Sequence, residues 1–396
     1  MSAEMIYTFL PRDLLFFRDA RPMDVDKAAK DVCNIGHGAY WPRPDHLFNG
    51  VIHALIEETP DAGHGDFPAL KVTGPYPAKG GKRYFPRPLD WDMDIFPCEG
   101  TDLPKPLKVG FLDRTKGKKA LPGWILEDDY QDYLKGGDKG KYYQDELESD
   151  GTIRTDKNGN PIKMIKFPYG DGDLFGVEAR IGTTIDAEKG ASKRVNSKHD
   201  SGQYQCEYLR LKSDVALWCA IDIGREDVDV PKQFKLGGQG GIVAQTKVGE
   251  GLNRNLETIF PKPVVTDDGP VYVRWTLLAP ALFSKTGWYP GWCEDSRKNV
   301  IEPKPLGEVM FPDCNGCHLV GACIRDPIVF SGWDMSTGVK PTQLAAPAGS
   351  VYLFQCDTKD AATHLIERLH LQRKSDYGPQ GFGIGVCSVL TVNTNS

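Results

Sequence analysis

Cys314-Asn-Gly-Cys317 is a CxxC pair, with Cys323 following and Cys293 upstream. Thiols so spaced are the donor set of a structural zinc site, in which a knuckle supplies two ligands and the flanking chain the others. A second CxxC is missing, so the same spacing also fits reduced, buried cysteines packed as small apolar residues. His318 could replace one thiol as ligand. It also completes a CxxCH, the haem-attachment pattern, which needs an exported chain. A redox CxxC wants a helix start in a βαβ unit, and this Pro- and Gly-rich stretch offers none.

A second constellation is Gly381-Phe-Gly-Ile-Gly385, preceded by Gly378. Removing Cβ at every second position lets the backbone approach a phosphate or another backbone and offer its N–H groups. The competing reading is a tight helix-to-strand turn. A dinucleotide fingerprint is excluded, because its Gly loop opens a helix. Residues 189–198 carry Lys189, Lys193, Arg194 and Lys198 with no acid between them, and His199 follows. That pattern is a solvated hairpin tip or a phosphate-contacting finger. Arg18 and Arg21 form another small basic group, with ion pairs to Asp19 or Asp24 as the alternative. His37, His46, His53 and His199 are acid–base candidates by residue type alone. HExxH, GxSxG and Walker patterns are absent.

These groups must be positioned by a chain of 396 residues with 48 Lys+Arg against 54 Asp+Glu, 43 Gly and 29 Pro. The composition is that of a core-forming chain rich in turns, and it argues against a helical bundle. A net charge of −6 by itself disfavours a nucleic-acid partner. The N-terminal residues lack the basic and apolar regions of a signal peptide, and no apolar run approaches the length of a membrane helix. A cytoplasmic protein with reduced cysteines is expected.

Ile6-Tyr-Thr-Phe-Leu10 reads as a strand. A helix capped by Asp45 follows, with Leu47, Phe48, Val51, Ile52, Leu55 and Ile56 on one face. Between residues 63 and 176 the periodicity breaks down, which predicts loops and short hairpins, including a turn at Asn158-Gly159. Strands are expected at 178–182, 204–211, 217–223, 271–278, 328–330, 351–354 and 386–392, and a helix at 360–371. Each half thus begins on a strand and ends on a Gly-rich turn followed by a strand. That is the outline of an α+β protein built of two ferredoxin-like βαββαβ units.

Several motifs carry a resemblance. Phe9-Leu-Pro-Arg-Asp-Leu-Leu-Phe-Phe-Arg-Asp-Ala-Arg-Pro-Met23 resembles the N-terminal signature of the third subunit of the Cmr complex, the type III-B CRISPR effector. In the same order come Trp41-Pro-Arg-Pro-Asp-His-Leu-Phe-Asn-Gly50, Glu178-Ala-Arg-Ile-Gly182, Leu236-Gly-Gly-Gln-Gly240, Phe330-Ser-Gly-Trp-Asp334, Pro347-Ala-Gly-Ser-Val-Tyr352 and the terminal Gly381-Phe-Gly-Ile-Gly385. Residues 100–172 and the cysteine cluster match nothing in that family pattern.

The resemblance implies the RAMP superfamily: ferredoxin-like units with long loop and hairpin insertions. The expected halves are 1–250, with a looped insertion at about 63–176 and a hairpin thumb at about 178–212, and 251–396, with a Cys-rich insertion at about 285–325. The implied role is non-catalytic. The subunit holds the 5′ handle of the CRISPR RNA, bridges the large palm-domain subunit to the backbone RAMP subunit, and meets target RNA only indirectly. Single-stranded RNA needs basic side chains, backbone donors and stacking surfaces. The RNA-binding residues so implied are Arg18, Arg21, Arg43, His46, Arg180, Lys193, Arg194, His199, Gly237, Gly238, Gln239, Gly381, Phe382, Gly383, Ile384 and Gly385. Cys293, Cys314, Cys317 and Cys323 are the expected ligands of a structural zinc. The alternative is a RAMP-fold endoribonuclease that processes precursor CRISPR RNA through His37 or His46.

Overall fold

The structure, a computed structural model, describes residues 4–19, 35–36, 38–59, 61–97, 107–113, 121–137, 142–183, 185–186, 191–192, 203–266, 270–293, 307–331, 333–334, 338–339 and 341–390. In chain order the main elements are β1 (Met5–Pro11), α1 (Pro44–Glu58), β2 (Lys71–Lys79), β3 (Lys82–Pro86), β4 (Met93–Pro97), β5 (Val109–Asp113), β6 (Trp124–Leu126), α2 (Glu127–Leu134), β7 (Tyr143–Asp145), β8 (Lys163–Ile165), β9 (Phe175–Thr183), β10 (Gln203–Leu211), β11 (Val215–Asp222), β12 (Gln233–Lys235), β13 (Ile242–Thr246), α3 (Leu256–Ile259), β14 (Val271–Leu277), β15 (Cys317–Cys323), β16 (Val351–Cys356), α4 (Lys359–Leu369) and β17 (Gly385–Leu390). None of the helices among the described residues is long and apolar enough to cross a membrane.

The chain divides into two interleaved units. One contains residues 1–81, 172–250 and 329–342, and the other 82–171, 251–328 and 343–396. One of the breaks between them falls at 250/251, and residues 82–171 are not grouped with the unit that contains the N-terminal strand. Residues 82–171 pack with the C-terminal part of the chain.

In the first unit the strands follow the order β12-β13-β1-β11-β2, all antiparallel. Helix α1 packs on this sheet through buried Leu47, Val51, Ile52 and Leu55 of the expected face together with Ala54, while Phe48 and Ile56 are half-buried. Its N-cap is Arg43, two residues earlier than expected, because Pro44 occupies the first helical turn, where a missing N–H costs nothing. A separate hairpin, β9–β10, is paired over its whole length.

Strand β2 was hidden by its own sequence. Lys-Val-Thr-Gly-Pro-Tyr-Pro-Ala-Lys contains three residues that oppose a strand, yet Val72 to Ala78 is buried throughout. The ladder to β11 tolerates them through a register shift between Trp218 and Ala220, where Gly74 takes a positive φ before a cis Pro75.

In the second unit the sheet order is β15-β16-β14-β17, again antiparallel. Trp275, Tyr352, Phe354, Leu365, Ile366 and Leu369 form its core. Thr358 caps α4, accepting from the Ala361 N–H at 3.2 Å. Helix α2 belongs to this unit as well. Glu127, Asp128 and Asp129 fill its first turn, where acids favour the helix dipole.

Both sheets place the first strand between the third and the fourth, as a βαββαβ unit does. Among the described residues, however, each carries one of that unit's two main helices: α1 in the first sheet and α4 in the second. The molecule is thus a mixed α/β protein of mostly antiparallel sheets, and two complete ferredoxin-like units are not seen.

Candidate nucleic-acid interface

The site is assembled within the first unit around the segment that follows β1. Leu14 to Phe17 is buried, but it forms bridges rather than a strand. Leu15 exchanges hydrogen bonds with Leu209 of β10 at 3.0 and 2.8 Å. The Phe16 carbonyl accepts from Gly238 N–H at 2.8 Å, and the Phe17 carbonyl from Ala39 N–H at 2.6 Å. The segment therefore ties together β10, the loop at 237–240 and the approach to α1. Arg18 emerges from it exposed.

Loop 237–240 is exposed and built on left-handed backbone, with Gly237 at φ 80°, Gln239 at 56° and Gly240 at 72°. A Cβ on Gly237 would lie 2.4 Å from the Phe16 carbonyl oxygen, so only glycine fits there. Opposite this loop runs one flank of α1. Gly50 lets the helix come close, since a Cβ there would meet Leu236 at 3.0 Å. Between helix and loop lies a cleft of about 280 Å³ lined by His46, Asn49, Gly50, His53, Glu57, Lys235 and Gly237, among others. Lys235 and Glu57 pair across it at 3.8 Å. Tyr40, 72% exposed, lies just before the helix.

His46 sits at the cleft wall with its ring stacked on Phe17, centroids 4.9 Å apart. Its Nδ1 accepts from the Arg43 backbone N–H at 3.2 Å, closing a capping box. Its Nε2 lies 3.3 Å from the Arg43 guanidinium. Burial, opposed by nearby Asp45 and assisted by Arg43, lowers its pKa to about 4. The ring is thus a neutral positioning group. Because the folded pKa lies below the unfolded 6.5, the stability it contributes is complete above pH 6.5 and is lost as pH falls through about 4. We expect His46→Gln, which can still accept from the Arg43 N–H, to flatten the acid limb of a Tm-against-pH curve between pH 7 and 4.5. His370 adds a slope of the same sign, its pKa being lowered by burial. The readout is therefore the difference between variant and wild type.

The other expected RNA contacts are placed differently. Arg43 is anchored, donating to both oxygens of Asp45 at 3.0 and 3.1 Å and lying over the Phe330 ring at 5.1 Å. Arg180 is exposed on β9 in a charge network: it donates to Glu178 at 2.9 Å and pairs with Asp13 at 3.6 Å, while Arg210 shares both acids. The two guanidiniums, Arg210 first, hold the Glu178 carboxyl down at about 2. Arg21, Lys193, Arg194, His199 and His37 lie outside the described residues.

The terminal Gly-rich loop lies apart from this cleft. Gly381, Phe382, Gly383, Ile384 and Gly385 are all buried in the second unit. Gly383 N–H is spent on the Pro280 carbonyl at 2.8 Å. A Cβ on Gly385 would lie 2.3 Å from the Trp275 indole nitrogen, and one on Gly383 2.4 Å from Ser375 Oγ. These glycines serve close packing in a helix-to-strand turn.

The cysteines are grouped differently from their spacing along the chain. Cys293, Cys314 and Cys317 are buried in the second unit's core, but Cys323 stands apart, its thiol 3.6 Å from Met93 Sδ. Cys356, far away in sequence, joins the other three instead. Among the described residues no group of three or more His, Cys, Asp or Glu side chains is arranged to hold a metal ion.

The profile of the family described as CRISPR-associated protein (Cas_Cmr3) matches residues 7–390. The chain belongs to this family. As a Cas_Cmr3 protein it is a subunit of a CRISPR effector, of the type III-B Cmr kind that its motifs resemble. None of the curated proteins matches it. Among solved structures it is similar to a chain in the cryo-EM structure of the Type III-B Cmr-beta bound to cognate target RNA and AMPPnP. There the identity is 14%, 88% of this chain and 86% of that chain are covered, and the TM-score is 0.44. It is also similar to a chain of the Csm3-Csm4 subcomplex of the type III-A interference complex, at 12% identity, 90% and 94% coverage and a TM-score of 0.37.

The stretches Phe9–Asp19, Trp41–Gly50 and Leu236–Gly240 are thus the ones that meet around the cleft. Sequence reasoning found His46 and Gly237 in its lining, with Arg18 on the segment that follows β1. It missed Asn49, Glu57 and Lys235 of the lining and Tyr40 before the helix, and weighed His53 only by type. The available signal was helical spacing: positions 46, 49, 53 and 57 form a polar stripe beside the apolar one.

Proposed function

We propose that this Cas_Cmr3 subunit holds the 5′ handle of a CRISPR RNA along the cleft between α1 and loop 237–240, and bridges the palm-domain subunit to the backbone RAMP subunit without catalysing cleavage. The observation that carries this reading is the convergence of three family motifs on one surface of the first unit. That surface offers what single-stranded RNA uses: an exposed arginine, a lysine, an exposed tyrosine for stacking and a glycine-built loop that leaves backbone within reach. A few local contacts suffice, so the acidic net charge is no obstacle.

Binding of a synthetic repeat-derived handle to the purified full chain tests it. Arg18→Glu with Lys235→Glu is expected to weaken binding by tenfold or more and to reduce the salt slope by roughly one per lost contact. Tyr40→Ala is expected to cost about 1–3 kcal/mol if a base stacks there. Unchanged affinity in both variants would refute the assignment. Specific cleavage of repeat RNA, lost on His46→Ala, would favour the endoribonuclease. A neutral ring engaged at both nitrogens supports a structural role for His46 instead.

A further inference from the structure

We propose that Cys317 and Cys356 are a reversible disulfide pair, which under oxidation fastens edge strand β15 to β16 in the second unit. The two residues face each other in the antiparallel ladder. Cys317 N–H donates to the Cys314 carbonyl at 3.1 Å, and its carbonyl accepts from Val309 N–H at 2.9 Å. Both groups therefore point away from β16. The neighbouring pair supplies the ladder bond instead, with Asp357 N–H donating to the Gly316 carbonyl at 3.0 Å. Cys317 and Cys356 thus form a non-hydrogen-bonded pair, the closer of the two antiparallel kinds, with Cα atoms about 4.5 Å apart. That separation lies inside the range a disulfide spans. The sulfurs are 2.9 Å apart, the Cys317 thiol donating to Cys356.

The chemistry balances with a hydroperoxide as oxidant. One sulfur attacks the peroxide oxygen, breaking the O–O bond and leaving a sulfenic acid with release of water or alcohol. The second sulfur displaces the hydroxyl, forming S–S and a further water. Two electrons pass to the peroxide and both thiol protons end in the released molecules. Both residues are fully buried, and burial, after the Cys317 contact, pushes the Cys356 thiol far above its usual range. Reaction must therefore await local opening. Strand β15 permits this because β16 is its one neighbour in that sheet, and its outer side is held only by short bridging contacts to residues 108 and 307–309. Once formed, the bond closes a long loop and limits that opening.

The test is a non-reducing peptide map of the full chain after hydrogen peroxide, with free thiols alkylated. A peptide linking Cys317 to Cys356, released by dithiothreitol, is expected, with Tm raised by roughly 5 °C or more over the reduced form. Cys356→Ala should lose both the link and the shift, whereas Cys293→Ala should keep both. A Cys314–Cys317 link, sulfinic acids without a link, or complete inertness even in about 1 M urea would overturn the proposal. So would bound zinc that protects these thiols until it is chelated. The wild-type map decides alone if the Cys356 variant fails to fold.

Discussion

Replacing Arg83 with methionine is expected to destabilise the protein by about 3–5 kcal/mol. Its side chain is fully buried beside Glu127, itself 2% exposed. The guanidinium donates to Glu127 at 2.7 Å, and to the carbonyls of Arg254 at 2.8 Å, Gly251 at 3.0 Å and Leu252 at 3.4 Å. One residue of β3 thus neutralises a buried carboxylate of α2 and caps the turn that leads into α3. Methionine keeps the volume and loses every donor. Arg254 still reaches Glu127, but three carbonyls lose a buried partner, each costing about 1–3 kcal/mol where water cannot replace it. Adding Glu127→Leu separates the terms. Removing both charges should recover part of the loss, since a buried ion pair is often replaceable by apolar residues. Recovery should stay incomplete because the carbonyls remain unserved. Urea unfolding of wild type, both single variants and the double variant measures this, and full recovery would show that the carbonyls do not matter.

The second large effect is expected at Arg274, in the middle of β14. Its guanidinium donates to Ser388 Oγ of β17 at 3.0 Å, to the Tyr133 carbonyl of α2 at 2.9 Å and to Asp90 at 3.4 Å, and lies 3.8 Å from the Tyr133 ring centroid. Tyr133 OH donates to the other Asp90 oxygen at 2.5 Å. Arg274→Leu leaves Asp90 charged and buried with one donor fewer, at a cost of about 3–5 kcal/mol. Tyr133→Phe should cost less, about 1–3 kcal/mol, because the ion pair survives. The comparison bears on architecture as well. Asp90 and Tyr133 come from 82–171, so a loss of this size shows that stretch to be part of the second unit's core. If Arg274→Leu unfolds with an unchanged midpoint, the network is peripheral.

The parts of the fold readable in advance were those where one physical signal dominates. Helix α1 and strands β1, β11, β14, β16 and β17 bury continuous or periodic apolar faces, and local patterning is enough to place them. Strand β2 failed because Gly74, Pro75 and Pro77 read as a loop, while a neighbouring strand that no local window contains absorbs the irregularity. Helix α2 failed because its first turn is acidic and its buried residues are two acids and two tyrosines, Glu127, Asp129, Tyr130 and Tyr133. Its burial is supported by Asp90 and Phe260, distant in sequence. The glycines misled in the opposite direction. Gly237 and Gly383 both take positive φ against a close neighbour, but one neighbour leaves the loop outside and the other encloses it. That difference is tertiary. So is the exchange of Cys323 for Cys356, since spacing along the chain says nothing of a partner on the adjacent strand. Three of the family motifs, by contrast, meet around one cleft, because each has its own structural duty there.

The interleaving of the two units sets the order in which the chain can mature during synthesis. A growing chain passes from one unit to the other five times. The first cannot complete its contacts until residues 329–342 have left the ribosome, and the second waits for β17 at 385–390 to pair with β14. Until then β14 exposes an unpaired edge, and the buried arginines wait beside carboxylates that arrived long before their core. Vectorial folding, one half at a time, is therefore closed to this protein. It must hold most of its length unfinished until β17 has been made and can pair with β14.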